Sequence, residues 1–316
     1  MLWQRWILSS LEPSCNSLRG KPRVLASTRP SGPHRLHPSS MTRGRAVTLE
    51  ICVGFCVCVL AGIGPALADQ QPPWELQVGT GIAYVPDYSG SRASAPRLRL
   101  WADGNYRTAD LGTFGLDSGS LTIDPELRWD IVNKPDLAAG ALLGYRFGRD
   151  SSSPGLTSTS DGSPRLAGLT NVDGTFDAGL AGHVSLLGVP VFAQVRSALS
   201  GQQGTLVNVG CFLPVSPVST LELIFLPTLT WANARQMRAF YGVTPAESVA
   251  SGFAVYTPGA AWENASLEIS ADWSAGGGLH LITSFAYQRL LAAAAASPLV
   301  QTRNQTSALA GVAWSF

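Results

Sequence analysis

His280 and Ser284 stand four positions apart, with Glu268 and Asp272 a short way upstream. A hydroxyl, an imidazole and a carboxylate are the parts of an activated serine nucleophile, so a membrane-embedded hydrolase is the sharpest chemistry these residues allow. The other histidine beyond the leader, His183, shares with His280 a place on the inward side of an alternating pattern. A lipid-processing site must face lipid, and these side chains face away from it. Inward polar residues are also expected on every strand of a membrane barrel, so no catalytic, cofactor-binding or metal-binding residue is assigned.

A second set of polar groups comprises Arg97, Arg99, Asp124, Glu126, Arg128, Asp130 and Arg146. Lining a lumen, they would either select ions or neutralise one another, and pairing is the commoner outcome in a narrow barrel. Asp150, Asp161, Asp173 and Asp177 lack the spacing of a calcium loop. No phosphate-cradling glycine loop occurs, since the glycines fall at alternate strand positions or in turns. The Asn-x-Ser/Thr matches at Asn264 and Asn304 carry no meaning in a bacterium. Four of the five cysteines (Cys15, Cys52, Cys56 and Cys58) precede residue 68, which leaves Cys211 alone, with neither a disulfide nor a cysteine metal site.

Charge separates the chain into two materials. Residues 1–68 hold eight of the 22 Lys/Arg and two of the 21 Asp/Glu. Residues 69–316 are therefore mildly acidic, about −5 in net charge, and offer no basic patch to nucleic acid. Within 41–68, Arg43 and Arg45 precede the apolar run Ile51–Ile63, and Ala66-Leu67-Ala68 supplies small residues for cleavage after Ala68. That is the pattern of a cleaved signal peptide, because 13 apolar residues are too few to span a bilayer as a helix. Residues 1–40 read as a disordered extension or as sequence ahead of a true start at Met41.

The elements that must position the inward groups are strands. Trp74, Leu76, Val78, Thr80, Ile82 and Tyr84 alternate with small and polar residues, placing aromatics at both ends of a lipid-facing strand. Strands are expected at 74–84, 96–102, 106–116, 120–132, 137–148, 175–187, 189–199, 204–213, 219–232, 265–275, 279–290 and 307–316. In 120–132, Leu121, Ile123, Leu127, Trp129 and Ile131 take one face, and Asp124, Glu126, Arg128 and Asp130 the other. The candidate 252–263 is removed because Pro258 and Gly259 interrupt it.

Turns are expected at Asp103-Gly104-Asn105, Asn133–Asp136, Leu187-Gly188 and Gly276–Gly278, and outer loops at 85–95, 149–174, 233–251 and 291–306. Two outer loops must be separated by an even number of crossings, which gives twelve strands. A short helix over Ala234–Tyr241, closed by Gly242, fits inside the third loop. The final Val312-Ala-Trp314-Ser-Phe316 alternates to its last residue, as a closing strand must if no edge is to be left in lipid. The fold class is thus an antiparallel transmembrane β-barrel of the bacterial outer membrane, a single unit over 69–316, in contact with outer-membrane lipid. Its terminal strand is the part offered to a barrel assembly machinery.

Five segments in order carry a resemblance. Tyr84-Val-Pro-Asp-Tyr88-Ser-Gly90-Ser91, Gly144-Tyr145-Arg146-Phe147-Gly148-Arg149-Asp150, Val172-Asp-Gly-Thr175, Tyr241-Gly-Val-Thr244 and Ser297-Pro-Leu-Val300 resemble the motifs of the MipA/OmpV family of MltA-interacting outer-membrane proteins. One departure stands out, since Ala292–Ala296 lies where the family usually places acidic residues. The resemblance implies a scaffold or surface interaction protein, one that links a murein hydrolase to a murein synthase. The alternative reading of the lumen is a narrow pore for small solutes.

Overall fold

The computed structural model describes residues 73–134 and 136–316. Both expected leader segments, 1–40 and the signal peptide 41–68 with its cleavage point, lie outside the described residues. The strands are β1 (Trp74–Pro86), β2 (Ser94–Thr108), β3 (Gly112–Asp117), β4 (Glu126–Lys134), β5 (Leu137–Arg146), β6 (Thr175–Leu186) and β7 (Val189–Ala198). They continue with β8 (Thr205–Cys211, resumed after Phe212 as Leu213–Val218), β9 (Leu221–Ala232), β10 (Ala261–Gly276), β11 (Leu279–Leu290) and β12 (Asn304–Ser315). Both halves of β8 pair with β9, so the wall has twelve antiparallel strands in sequence order.

Closure runs between β1 and β12, with Gln77 opposite Ser315 and Tyr84 opposite Ala308. The Phe316 N–H donates to the Leu76 carbonyl at 2.9 Å, so the alternating tail stays in the ladder to its last residue. Closure leaves no edge along this seam, which is what lets strands cross a hydrocarbon layer. Side chains alternate as expected: Val78, Ile82, Tyr84, Leu127, Trp129, Phe285 and Trp314 are exposed, whereas Gln77, Glu126, Arg128, Asp130, His183 and His280 are buried inside. An apolar exterior around a polar interior is the pattern of a membrane barrel. No helix among the described residues is long and apolar enough to cross a membrane.

Short turns gather at one rim and long loops at the other, the outer rim. Leu187 and Gly188 both have positive φ (53° and 78°), the geometry of a tight two-residue hairpin whose twist suits the flanking strands. Trp101 turns into the lumen, where Gly79 and Gly311 make room for its ring; a Cβ on either would overlap it.

The sequence expectations need correction mainly between residues 96 and 132. Asp103-Gly104-Asn105 is no turn: it lies in the middle of β2, opposite Gln77, Leu76 and Glu75. The reversal comes after Thr108, and β3 is only six residues long. Residues 118–125 leave the wall, so Leu121 and Ile123 point not to lipid but into luminal apolar clusters. Asn133 and Lys134 stay in β4, which moves the next turn beyond them. Residues 252–260 are indeed outside the wall, but β10 begins at Ala261. Helix α1 (Ala234–Tyr241) forms as expected, although Gly242 ends it with an extended backbone (φ −77°) and not a left-handed one.

Candidate functional site: the lumen and its outer cap

Inside the barrel the charged residues are paired. Asp177 on β6 is fully buried, accepts from Arg196 on β7 at 2.8 and 3.1 Å, and forms an ion pair with Arg146 on β5 at 2.7 Å. Arg196 also lies 3.5 Å from Glu126, and Arg128 lies 3.3 Å from Asp130. Gly144 makes space for this cluster, because a Cβ there would strike both the Arg196 guanidinium and the Asp177 carboxylate. Arg146 continues upward, donating to Gln236 Oε1 of α1 and to the Gly204 carbonyl. The sequence reading missed Arg196, although its signal was present: 190, 192, 194 and 196 alternate inward along β7.

The segment 118–125 crosses the lumen and docks on Glu268 of β10. That carboxylate accepts from Ser120 Oγ (2.8 Å), Thr122 Oγ1 (2.9 Å) and the Leu121 and Thr122 amides (3.1 and 3.2 Å). Ile123 packs beside Phe192, Phe212, Ile224 and Leu226, and Leu121 packs beside Trp101, Ile282 and Leu309. Charge-assisted donors and two apolar anchors thus hold the segment from opposite sides.

The structure does not bring the suspected hydrolase residues together. His280 Nδ1 meets Asp272 at 2.6 Å, whereas Ser284 Oγ meets Ser270 Oγ at 2.9 Å. Four positions along one strand separate the imidazole from the hydroxyl by about 13 Å, far beyond proton-transfer reach. The four loop and strand aspartates also go separate ways. Asp150 caps Ser152, Asp161 pairs with Arg97, the Asp173 carbonyl accepts from Gln203, and Asp177 joins the arginine cluster. Among the described residues no group of acids, histidines and cysteines could hold a metal ion.

Above the lumen, four outer loops lock together. Tyr88 donates to the Leu299 carbonyl (3.1 Å), Ser89 and Tyr241 share a hydrogen bond (2.7 Å), and Ser297 donates to the Tyr241 carbonyl (2.7 Å). Gly90 lies against Val300, while its N–H and C=O bond Gln305 and Gln301. Arg149 donates to the Phe240 carbonyl and exchanges backbone bonds with Val172. Tyr88, Leu166, Leu169, Val243 and Leu299 make the apolar centre of this cap. All five motif segments, scattered over more than 200 positions, therefore meet in one place.

Helix α2 (Pro245–Ser251) in the cap begins with a reciprocal Thr244–Glu247 capping box. Partial burial opposes ionisation of Glu247, but hydrogen bonds from Thr244 and Thr170 outweigh it and hold the carboxyl down at about 2. A depressed carboxylate stabilises the fold above its ordinary pKa and loses that contribution as pH falls toward the depressed value. Between about pH 4.5 and 2, pepsin cleavage around α2 should therefore increase, and Glu247→Gln should raise the sensitivity already at the upper end of that window. A cleavage rate flat across this window would show that the box does not hold the loop.

Several solved barrels show a distant likeness. OmpT of Vibrio cholerae is 8% identical, with 79% of this chain and 100% of that chain covered and a TM-score of 0.35. The translocator domain of the autotransporter NalP from Neisseria meningitidis is 10% identical, with 84% and 96% covered and a TM-score of 0.38. Similarities this low leave the architecture to be read from the strand pairing itself. No curated protein matches the sequence. The family described as MltA-interacting protein MipA matches from residue 78 to residue 316, taking in the lumen-crossing segment and every cap motif, and the chain belongs to that family.

Proposed function

We propose that this outer-membrane barrel works as a scaffold or surface interaction protein, and that its partners include a murein hydrolase and a murein synthase. The observation that carries the reading is the filled lumen: residues 118–125 cross it and dock on Glu268, and its arginines are paired with acids. A barrel occupied in this way has its rims and outer wall left for binding, and the name of its family points to a murein enzyme. Crossed and neutralised, the interior does not favour the narrow-pore alternative. Cross-linking in intact cells followed by mass spectrometry tests the scaffold. Murein-processing enzymes should be recovered with the barrel, and recovery of only unrelated abundant envelope proteins would sink the proposal.

The same reading gives the barrel no catalysis of its own, supported by the separate partners of Ser284 and His280. Labelling by a serine-directed phosphonate that Ser284→Ala abolishes would defeat this part. Export through the signal peptide cleaved after Ala68, and insertion by an assembly machinery that engages β12, complete the proposal.

A further inference from the structure

Three arginines gather on one stretch of the outer rim. Arg289 is the last outward-facing residue of β11, two positions beyond the exposed Tyr287. Asn304 of β12 lies opposite it, and Arg303, just before Asn304, accepts the Leu290 N–H on its carbonyl. Arg92, in the loop between β1 and β2, donates its backbone N–H to Gln301, two positions before Arg303. All three side chains are exposed, and among the described residues none of them has an ion pair or a hydrogen bond. Of the acids in the loops beside them, Glu263 accepts from the Tyr241 hydroxyl at 3.0 Å, and the half-buried Asp87 pairs with none of the three. The lumen arginines have acids of their own; these have none.

Below them the outer face of the wall is grooved. On β12 the outward side chains are short, Thr306, Ala308 and Ala310. The strands on either side carry long ones. Tyr287 and Phe285 of β11 stand opposite Thr306 and Ala308, and Tyr84 and Ile82 of β1 stand opposite Ala308 and Ala310. With neighbouring strands about 4.8 Å apart, the two walls are about 10 Å apart across a floor of methyl and hydroxyl groups. Val312, the next outward residue of β12, closes the groove toward the middle of the membrane.

The level of the groove's mouth is marked by Tyr287. Its ring lies on the apolar wall, and its hydroxyl donates to Asn304 Oδ1 at 2.9 Å. A tyrosine so placed, apolar at its body and hydrogen-bonded at its tip, belongs at the boundary between hydrocarbon and head groups. Two residues farther along a strand is about 7 Å, so Arg289 stands among the head groups. Its neighbours at that level are the short Ala265 of β10 and Asn304 of β12, which leave the guanidinium uncovered.

We propose that this stretch of the wall binds one phosphorylated glycolipid of the outer leaflet, its phosphate held by Arg289, Arg303 and Arg92 and one acyl chain lying in the groove over Ala308. Guanidiniums without acids of their own present paired N–H donors, the geometry that suits a phosphate. The groove opens on hydrocarbon and runs straight down from them, so head and chain of one molecule reach both. Free phosphate would leave the groove unfilled, and Arg289 sits where the lipid surface is its nearest neighbour. This function is additional to the scaffold and does not depend on it.

The test is native mass spectrometry of the delipidated, amphipol-held barrel, with folding of each variant checked by heat-modifiable gel mobility. The probes are lipid A and the same lipid A with its phosphates removed. One lipid A should be retained, at least about tenfold more than the dephosphorylated form, because charge-assisted bonds to phosphate are the strong ones. Arg289→Gln with Arg303→Gln should abolish that preference. Arg235→Gln with Arg238→Gln, which takes the same charge from α1, should leave it unchanged. Ala308→Phe, which fills the groove, should lower retention of both lipids. Equal retention of the two lipids by the wild type, an equal loss in both arginine pairs, or uptake of many lipids without a step at one overturns the site. If Ala308→Phe folds and retains both lipids as the wild type does, the groove has no part in binding and the proposal fails there; if it does not fold, Ala310→Leu puts the same question.

Discussion

Asp177→Ala should cost the barrel about 3–5 kcal/mol of unfolding free energy, the usual penalty for stripping one partner from a buried ion pair. The carboxylate is wholly buried and serves two guanidiniums at once, Arg196 through two hydrogen bonds and Arg146 through an ion pair at 2.7 Å. Its removal leaves both cations inside the wall, with Glu126 at 3.5 Å and Asp124 as the acids still near Arg196. Urea titration of the barrel in lipid vesicles reads the change. Asp177→Asn, which keeps an acceptor but loses the charge, should fall between wild type and Ala. Removing one of the two cations too, as Asp177→Leu with Arg196→Met, should recover part of the loss, because only Arg146 is then left without its acid. A change below about 0.5 kcal/mol for Asp177→Ala would mean that the guanidiniums find other partners at little cost.

Glu268→Ala should free the lumen-crossing segment. The carboxylate accepts from two hydroxyls and two amides of residues 120–122, and bonds to a charged acceptor contribute about 1.5–3 kcal/mol each. Losing even two of them would raise the population of the released segment by at least about tenfold, since 1.4 kcal/mol is a factor of ten. The measurement is the rate at which a small methanethiosulfonate modifies Ile123→Cys in a Cys211→Ser background. It should rise at least about tenfold in Glu268→Ala, and Glu268→Gln, which retains an acceptor oxygen, should raise it less. An unchanged rate would assign the hold on this segment to Leu121 and Ile123 alone. Total stability should shift less than for Asp177, because the freed amides and hydroxyls can be hydrated.

How much of this was legible in the sequence depends on what each pattern constrains. Strand number was legible because long and short connections must alternate in parity, and Pro258 excluded the one surplus candidate. That the last strand closes the wall was legible from the tail, and the structure supplies its register, with Trp314 opposite Val78. The inward turn of residues 118–125 was not, because period-2 alternation reads the same whether a segment stands in the wall or crosses the interior. A signal was nevertheless present: the proline rule applied at Pro258 applies equally at Pro125, which sits inside the expected strand 120–132 and breaks it from β4. For the charged lumen, the alternation gave the direction of each side chain. Which acid each arginine would meet depends on strand neighbours far apart in sequence. The motifs give the converse lesson. Tyr88, Gly90, Arg149, Tyr241 and Ser297 look like a dispersed binding signature, yet in three dimensions they bond mainly to one another and to nearby backbone.

The segment that docks on Glu268 has a mechanical meaning. A hollow hoop of strands can be flattened into an ellipse by the sideways pressure of surrounding lipid, since each strand has only to hinge slightly about its neighbours. Residues 118–125 run from the β3–β4 side to β10 on the opposite side and are fastened at both ends, so they act as a spoke. A spoke fixes the diameter it spans, and with it the spacing of turns around the rim. A barrel braced this way presents docking points at set separations, a property that matters more to a platform than to a conduit.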